Sequence, residues 1–210
     1  MRSQQIENYK KTLKLTDRQR QIIIGTALGD GHLETPNKGR TYRLRIEHSL
    51  KQKAFVDWLY QELKPWVLSA PQIKKQIVNG KIFHKYWFNT VAHGSLRFYG
   101  QQFYQAKKKV VPKLIHRWLT PLSMAVWYMD DGSIKSKNHR ARIINTQGFT
   151  KREVAILIRA LKDKFAIQSQ LRKQKEGYQI MILAESAIKF AKLIKPYLHS
   201  SMKYKITGLD

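Results

Sequence analysis

The feature that most restricts the fold is a pattern that occurs twice: a capped apolar helix running straight into aspartate and glycine. In the first copy, Thr16 and Gln19 have the spacing of a capping box. The run Gln21-Ile22-Ile23-Ile24-Gly25-Thr26-Ala27-Leu28 continues the helix and Gly29-Asp30-Gly31 ends it. In the second copy Thr120-Pro121 opens a helix, because proline suits the first helical position. Leu122-Ser123-Met124-Ala125-Val126-Trp127-Tyr128-Met129 follows, and Asp130-Asp131-Gly132 ends it. Asp30 and Asp131 stand 101 residues apart (131 − 30), about half of the 210-residue chain.

The segments after each copy repeat as well, so each half reads helix, strand, strand, helix, strand, strand, helix. In the first half, residues 41–48 alternate Arg43, Arg45 and Glu47 with Tyr42, Leu44 and Ile46, the period of a strand. Ser49 with Gln52 caps a helix over 50–64, residues 72–85 form a hairpin turning at Asn79-Gly80, and a helix covers 95–106. In the second half a strand spans 140–146, and Thr150 with Glu153 forms a capping box for a helix through Phe165. A hairpin over 168–183 turns at Glu176-Gly177, and a last helix spans 185–197. The expected fold is α+β, two pseudo-symmetric αββαββα halves. Their bounds are an N-terminal arm at 1–15, a first half at 16–106, a linker at 107–119 and a second half at 120–210. Two tandem halves imply a monomer, since the pair is built into one chain.

Charge narrows the partner. Lys and Arg number 40 against 14 Asp and Glu, a net charge of +26. Self-repulsion on that scale favours a polyanionic partner, and nucleic acid is the expected one. The basic residues run from Arg2 to Lys205, so the basic surface belongs to the fold. No apolar run approaches the ~20 residues of a spanning helix, and the first 14 residues lack the apolar core of a secretory signal. No membrane role is expected. There is no cysteine, which excludes disulfides and thiolate zinc sites.

A carboxylate at a helix C-terminus faces the negative end of the dipole. Two such ends brought together by internal symmetry need something positive between them. Divalent cations with hard oxygen ligands fit, which points to Mg2+, with Mn2+ as a substitute, and to phosphodiester hydrolysis. Gly25 and Gly29 leave a smooth stripe on the first helix, and Ser123 and Ala125 are small on the second, so close approach is expected. Tyr128-Met129-Asp130-Asp131 also matches a reverse-transcriptase signature. That signature sits on a hairpin, whereas Thr120-Pro121 here starts a helix, and the chain is short for a polymerase.

These motifs resemble the LAGLIDADG homing endonucleases. Ile23-Ile24-Gly25-Thr26-Ala27-Leu28-Gly29-Asp30-Gly31 occupies the first motif and Met124-Ala125-Val126-Trp127-Tyr128-Met129-Asp130-Asp131-Gly132 the second. Thr41-Tyr42, Trp66-Val67-Leu68-Ser69, Leu119-Thr120-Pro121, Asn145-Thr146-Gln147 and Leu193-Ile194-Lys195-Pro196-Tyr197-Leu198 extend the likeness, in order, over about residues 16–206. Val126 departs from the glycine usual in the second motif, and Asp130 from a small residue. The resemblance implies motif helices at the interface and curved antiparallel sheets forming a DNA-binding saddle. It implies metal binding by Asp30 and Asp131, with carbonyl oxygens from Gly29 and Asp130. It implies catalytic lysines at Lys109, beside Lys107 and Lys108, and at Lys205, and water-organising residues at Glu47 and Asn145. It also implies an intron-encoded enzyme of mitochondrial origin, with a bacterial or chloroplast source open, and a target at an intron-insertion site in a large-subunit ribosomal RNA gene.

Alternating strand residues are the candidate readers of double-stranded DNA. Arg43, Arg45, Gln72, Lys74 and Gln76 in the first half, and Gln170, Arg172 and Gln174 in the second, carry donors suited to guanine and adenine edges. Lys81, Lys85, Arg140 and Arg142 are further DNA-binding candidates, and for every residue of the set a phosphate contact, which positions without specifying, is the alternative to base reading. Unequal halves imply an asymmetric site. Two other readings share these features. One is an RNA maturase that assists splicing of its own intron. The other is a transcription regulator with a degenerate form of the fold, which would ordinarily add a helix-turn-helix for which there is no room.

Overall fold

A computed structural model describes residues 2–136 and 139–209. Helix α1 (Arg2–Thr12) comes first. The first half then runs α2 (Asp17–Leu28), β1 (His32–Glu34), β2 (Arg43–Ser49), α3 (Lys53–Glu62), β3 (Gln72–Val78), β4 (Lys81–Asn89) and α4 (Arg97–Phe103). A small hairpin, β5 (Tyr104–Gln105) and β6 (Lys108–Lys109), and helix α5 (Ile115–Trp118) lead onward. The second half runs α6 (Pro121–Asp131), β7 (Gly132–Ser136), β8 (His139–Asn145), α7 (Lys151–Phe165), β9 (Ser169–Gln174), β10 (Gly177–Ile182) and α8 (Ala184–Ile194). A 3-10 segment, Ser200–Ile206, follows. The two sheets have the same antiparallel order, β1-β2-β4-β3 and β7-β8-β10-β9. The fold is therefore the doubled α+β arrangement expected from the repeat.

Local chemistry accounts for the boundaries. Capping boxes close the starts of α2 (Thr16 with Gln19) and α7 (Thr150 with Glu153). Thr120 forms a third with Ser123 at α6, so that helix start rests on a cap as well as on Pro121. Asn79 (φ 50°) and Gly80 (φ 74°) both take positive φ between β3 and β4, as a two-residue type I′ hairpin turn requires.

Two segments differ from expectation. The segment expected as an arm is helical from Arg2 to Thr12, with Leu13 and Leu15 buried. The Tyr9 hydroxyl donates to the Pro65 carbonyl at 2.6 Å, which docks it onto the first half. The helix expected over 95–106 stops at Phe103, where β5 begins. Within 107–119, Val111, Ile115 and Leu119 are buried, so this connection is part of the core. The Val111 N–H donates to Glu153 Oε1 at 3.0 Å, tying it to the second half.

Helices α2 and α6 occupy the centre. Residues 22–28 and 122–130 are buried without a break, and a helix apolar all round is a core helix. Their approach is too close for a side chain at Gly25. A Cβ there would lie 2.5 Å from the Ser123 carbonyl oxygen and 2.6 Å from Val126 Cβ. Val126, where the motif usually has glycine, is thus matched by the glycine opposite. Alanine in place of an unconstrained helical glycine stabilises by about 0.5–1 kcal/mol. Gly25→Ala is expected to do the reverse, losing roughly 1–3 kcal/mol by overpacking. Thermal melting checks this, and an unchanged or raised Tm would contradict the close approach.

Candidate active site at the helix ends

Gly29 ends α2, and its cap N–H donates to the Gly25 carbonyl. Asp30 follows with its side chain half exposed, while Asp131 is the last residue of α6. Both line one cleft of about 290 Å³, with Lys109 and Asn145. Two aspartates far apart in sequence therefore meet at one end of the helix pair. Asp130 reaches across the interface. Its carboxylate is fully enclosed, and Oδ2 accepts the Asp30 N–H at 3.2 Å. Gly29 has no alternative here, since a Cβ would sit 2.4 Å from that oxygen.

His48 joins the group, and sequence reasoning missed it. It ends the inward alternation Leu44-Ile46-His48 of β2, is 3% exposed, and packs edge-on against Phe55. Its Nδ1 lies 3.6 Å from Asp30 Oδ2 and its Nε2 lies 3.5 Å from Asp130 Oδ1. Neither Nε2 nor that Oδ1 has a hydrogen-bond partner. An imidazole at a core-facing strand position was the only signal available in the sequence. Asp30, His48 and Asp130 can together hold a metal ion. An enclosed carboxylate oxygen without a donor, among further carboxylates, suits a hard divalent cation.

Lysines hold the helix ends. Lys109 Nζ donates to the carbonyls of Gly29 (2.6 Å) and Gly31 (2.7 Å). Lys205, 5% exposed, donates to the carbonyls of Met129 and Asp130, the latter at 3.2 Å. Each ammonium sits at the negative end of its helix, where a cation is favoured. The Gly29 and Asp130 carbonyls, expected to face metal, thus already accept from lysines. At Asp130 it is the carboxylate that is left without a full set of donors. Asn145 donates from Nδ2 to the Asp131 carbonyl (2.8 Å) and accepts from Gln179 Nε2 (2.7 Å).

Crowding sets the protonation. Burial, then the neighbouring Asp30 and Asp131, lifts Asp130 well above the carboxylate range. Burial, then Asp30, lifts Asp131 to about 7, against the pull of Lys109 and Lys205. Burial lowers Lys109 and Lys205, opposed by the same aspartates. It also lowers His48, opposed by Asp30.

The sheet residues divide by face. In the first half, strand register sets Gln72 opposite Trp87, Lys74 opposite Lys85, Gln76 opposite Phe83, and Glu47 opposite Trp87 on its other side. Arg43, Arg45, Gln72, Lys74, Gln76, Lys81 and Lys85 therefore share the face of Glu47. Glu47 binds Arg45 and Lys74, each at 2.7 Å, and Arg45 lies over the Trp87 ring. Arg43 pairs with Glu34 at 2.7 Å. In the second half, Asn145 lies opposite Gln179, which lies opposite Arg172, so Gln170, Arg172 and Gln174 share the face of Asn145.

Arg142 does not join them. It alternates with Asn145 along β8 and falls on the other face, whereas Arg140 is exposed beside a bulge that breaks the alternation between Arg142 and His139. Arg142 is 1% exposed, and its guanidinium donates to the carbonyls of Lys205 and Thr207. It fixes the C-terminal segment and cannot contact DNA. The run Ala141-Arg142-Ile143-Ile144 has no clean polar alternation, so its facing was not readable from sequence.

The raised Asp131 has a thermodynamic consequence. An aspartate is ionised near pH 4 when unfolded, yet holds its proton to about 7 in the fold. Between those values the native state binds more protons, so this group makes stability fall as pH rises. The lowered His48 and His32 act in the opposite sense below about 6.5. Comparison with Asp131→Asn isolates the aspartate. In chelator, the variant's Tm minus that of the parent is expected to grow from pH 5 to pH 8. Divalent cation is expected to shrink that difference. A difference independent of pH would contradict the crowding.

Comparison with known proteins agrees with this geometry. Residues 20–190 match the model of the LAGLIDADG DNA endonuclease family. The chain is 33% identical to the DNA endonuclease I-ChuI of Chlamydomonas applanata, over 93% of this chain and 97% of that protein. It is 31% identical to the cytochrome b mRNA maturase bI2 of Saccharomyces cerevisiae, over 88% of this chain and 46% of that protein. Among solved structures it superposes on the homing endonuclease I-WcaI bound to its DNA recognition sequence with a TM-score of 0.90 and 28% identity, covering 96% of this chain and 91% of that one. The doubled motif, the fold and these likenesses agree, and the chain belongs to the LAGLIDADG DNA endonuclease family, nucleases that cut DNA at specific sites.

Proposed function

We propose that this chain acts as a monomeric, intron-encoded homing endonuclease that makes a double-strand break in a long, asymmetric DNA target, with Mg2+ as its cation and Mn2+ as a substitute. The observation that carries the reading is the meeting of Asp30 and Asp131 in one cleft at the tips of paired helices. Asp30 and Asp131 would hold the cations, with the Asp130 carboxylate beside them. When bound, such ions activate water and stabilise charge on the attacking and leaving oxygens of the phosphodiester. The protein's own part is positioning. Lys109 and Lys205 offset the negative potential of the acids so that a phosphate can approach. Asn145 orients the end of α6 through the Asp131 carbonyl, and Glu47 offers an acceptor for ordered water. Arg43, Arg45, Gln72, Lys74, Gln76, Lys81, Lys85, Gln170, Arg172 and Gln174 supply the DNA-facing contacts. The target class proposed is an intron-insertion site in a large-subunit ribosomal RNA gene, and the proposed origin is mitochondrial. Support for a homing role comes from the likeness to a homing endonuclease bound to its recognition sequence.

Asp30→Asn and Asp131→Asn are each expected to abolish double-strand cleavage of a site selected from a random library, with DNA binding kept within a few-fold. Clean double-strand breaks by either variant would refute the ligand assignment. The logarithm of the affinity is expected to fall steeply and linearly with that of the salt concentration, because bound phosphates release counterions. A flat salt dependence in a gel-shift titration counts against a polyanion partner.

A second reading, RNA maturase, is favoured by the likeness to the yeast cytochrome b maturase. A splicing assay on the intron that carries the gene, run beside the cleavage assay, separates the two. Splicing that persists in Asp30→Asn would assign it to a surface other than the acidic cleft.

A further inference from the structure

The two halves are alike in fold but unequal in the chemistry at their centres. Strand register makes Glu47 and Asn145 equivalent, so the position equivalent to His48 is Thr146. The Thr146 hydroxyl is already engaged, donating to the Tyr178 carbonyl at 2.8 Å. His48 Nε2 is not: it is buried, lacks a hydrogen-bond partner, and points at the equally unpartnered Oδ1 of Asp130. The motif position equivalent to Asp130 is Gly29, which brings no side chain. Two orphaned donor atoms therefore face each other on one side of the cleft, with no counterpart on the other.

We propose that His48 Nε2 and Asp130 Oδ1, completed by the Asp30 carboxylate, form a mixed nitrogen–oxygen site for a divalent transition-metal ion at the centre nearest Asp30, one that favours Co2+ and takes Mn2+ more weakly. His48 Nε2 lies 3.5 Å from Asp130 Oδ1, and each of the three residues offers one ligand atom within 4.8 Å of the other two; an ion with bonds of about 2.1 Å spaces its donors roughly 3–4 Å apart, so binding draws the Asp30 carboxylate inward. The half-exposed Asp30 side chain gives the ion its way in. Imidazole is a poor partner for Mg2+, which prefers oxygen, and a good one for the later first-row metals. The site therefore separates metals that the all-oxygen centre nearest Asp131 does not. All donors come from the protein, so the ion binds without DNA. The inference rests on the function proposed above, in which Asp30 is a metal ligand.

The test uses the full chain free of DNA, with Mn2+ as the probe, and reads nitrogen coupling to the bound ion by pulsed electron paramagnetic resonance. The expected result is a directly coordinated nitrogen in the parent protein, whose signal changes isotope when histidine is supplied as 15N. His48→Gln, checked by melting to be folded, is expected to lose the coupling. Calorimetry with Co2+ is expected to show the tight class of site weakened by at least about tenfold in that variant. His32→Gln is expected to leave both unchanged. Because the parent spectrum and its isotope response decide the matter without any variant, a misfolded His48→Gln does not rescue the proposal. Absence of nitrogen coupling in the parent overturns it, and so does coupling that survives in folded His48→Gln. A silent spectrum together with loss of cleavage in Asp30→Asn overturns this inference alone. Cleavage retained in Asp30→Asn overturns the underlying reading as well.

Discussion

Everything at the functional end of this protein depends on how closely α2 and α6 approach each other. Gly25 under Ser123 and Val126, and Gly29 under Asp130, remove the side chains that would hold the helices apart. That contact brings two helix C-termini and three aspartates into one small volume. The dipoles, the burial and the like charges all oppose it. Stabilisation comes from buried apolar surface along the helices and from two lysines that fill the carbonyl ends. The helix pair is thus both the core of the fold and the frame of the site, and a change in its spacing alters both together.

The electrostatics of the cleft follow from that frame. A group of carboxylates enclosed by apolar residues holds protons into the neutral range unless a cation takes their place. Lys109 and Lys205 moderate the repulsion without removing it, because their ammonium groups are committed to backbone carbonyls. On the function proposed, a bound cation would displace those protons. The hold on protons comes from packing, since a more open cleft would let water screen the same charges.

Much of this was legible in the sequence, and the reasons are local. Capping boxes at Thr16 and Thr150, the Asn79-Gly80 turn and the apolar runs before Asp30 and Asp131 are short-range signals that the fold keeps. The period-two pattern on Arg43, Arg45 and Glu47 correctly placed them on one face of β2. What was not legible involves contacts between distant segments. His48 reads as an ordinary strand residue until α2 and α6 are set beside it. Arg142 reads as a basic strand residue until the C-terminal segment supplies carbonyls for its guanidinium. The first residues read as a polar arm because the side chains that anchor them, Leu13, Leu15 and Tyr9, are too few to mark a periodic face. The lysine beside the cleft was one of three in a row, and only the β5–β6 hairpin decides that Lys109 faces inward.

That hairpin also bears on how such a chain could be recombined. Lys109 belongs to the first half by its acceptors, Gly29 and Gly31, whereas Val111, two residues on, belongs to the second through Glu153. The backbone ties change hands just after Val110, whose N–H still donates to the Phe103 carbonyl, although Trp118 further on packs back against Phe98 of the first half. Chimeras that graft the first half onto a foreign partner keep the lysine that caps its helix end only when the junction falls after Lys109; a crossover placed a few residues earlier would strip that half of the lysine and leave the carbonyls of Gly29 and Gly31 without it.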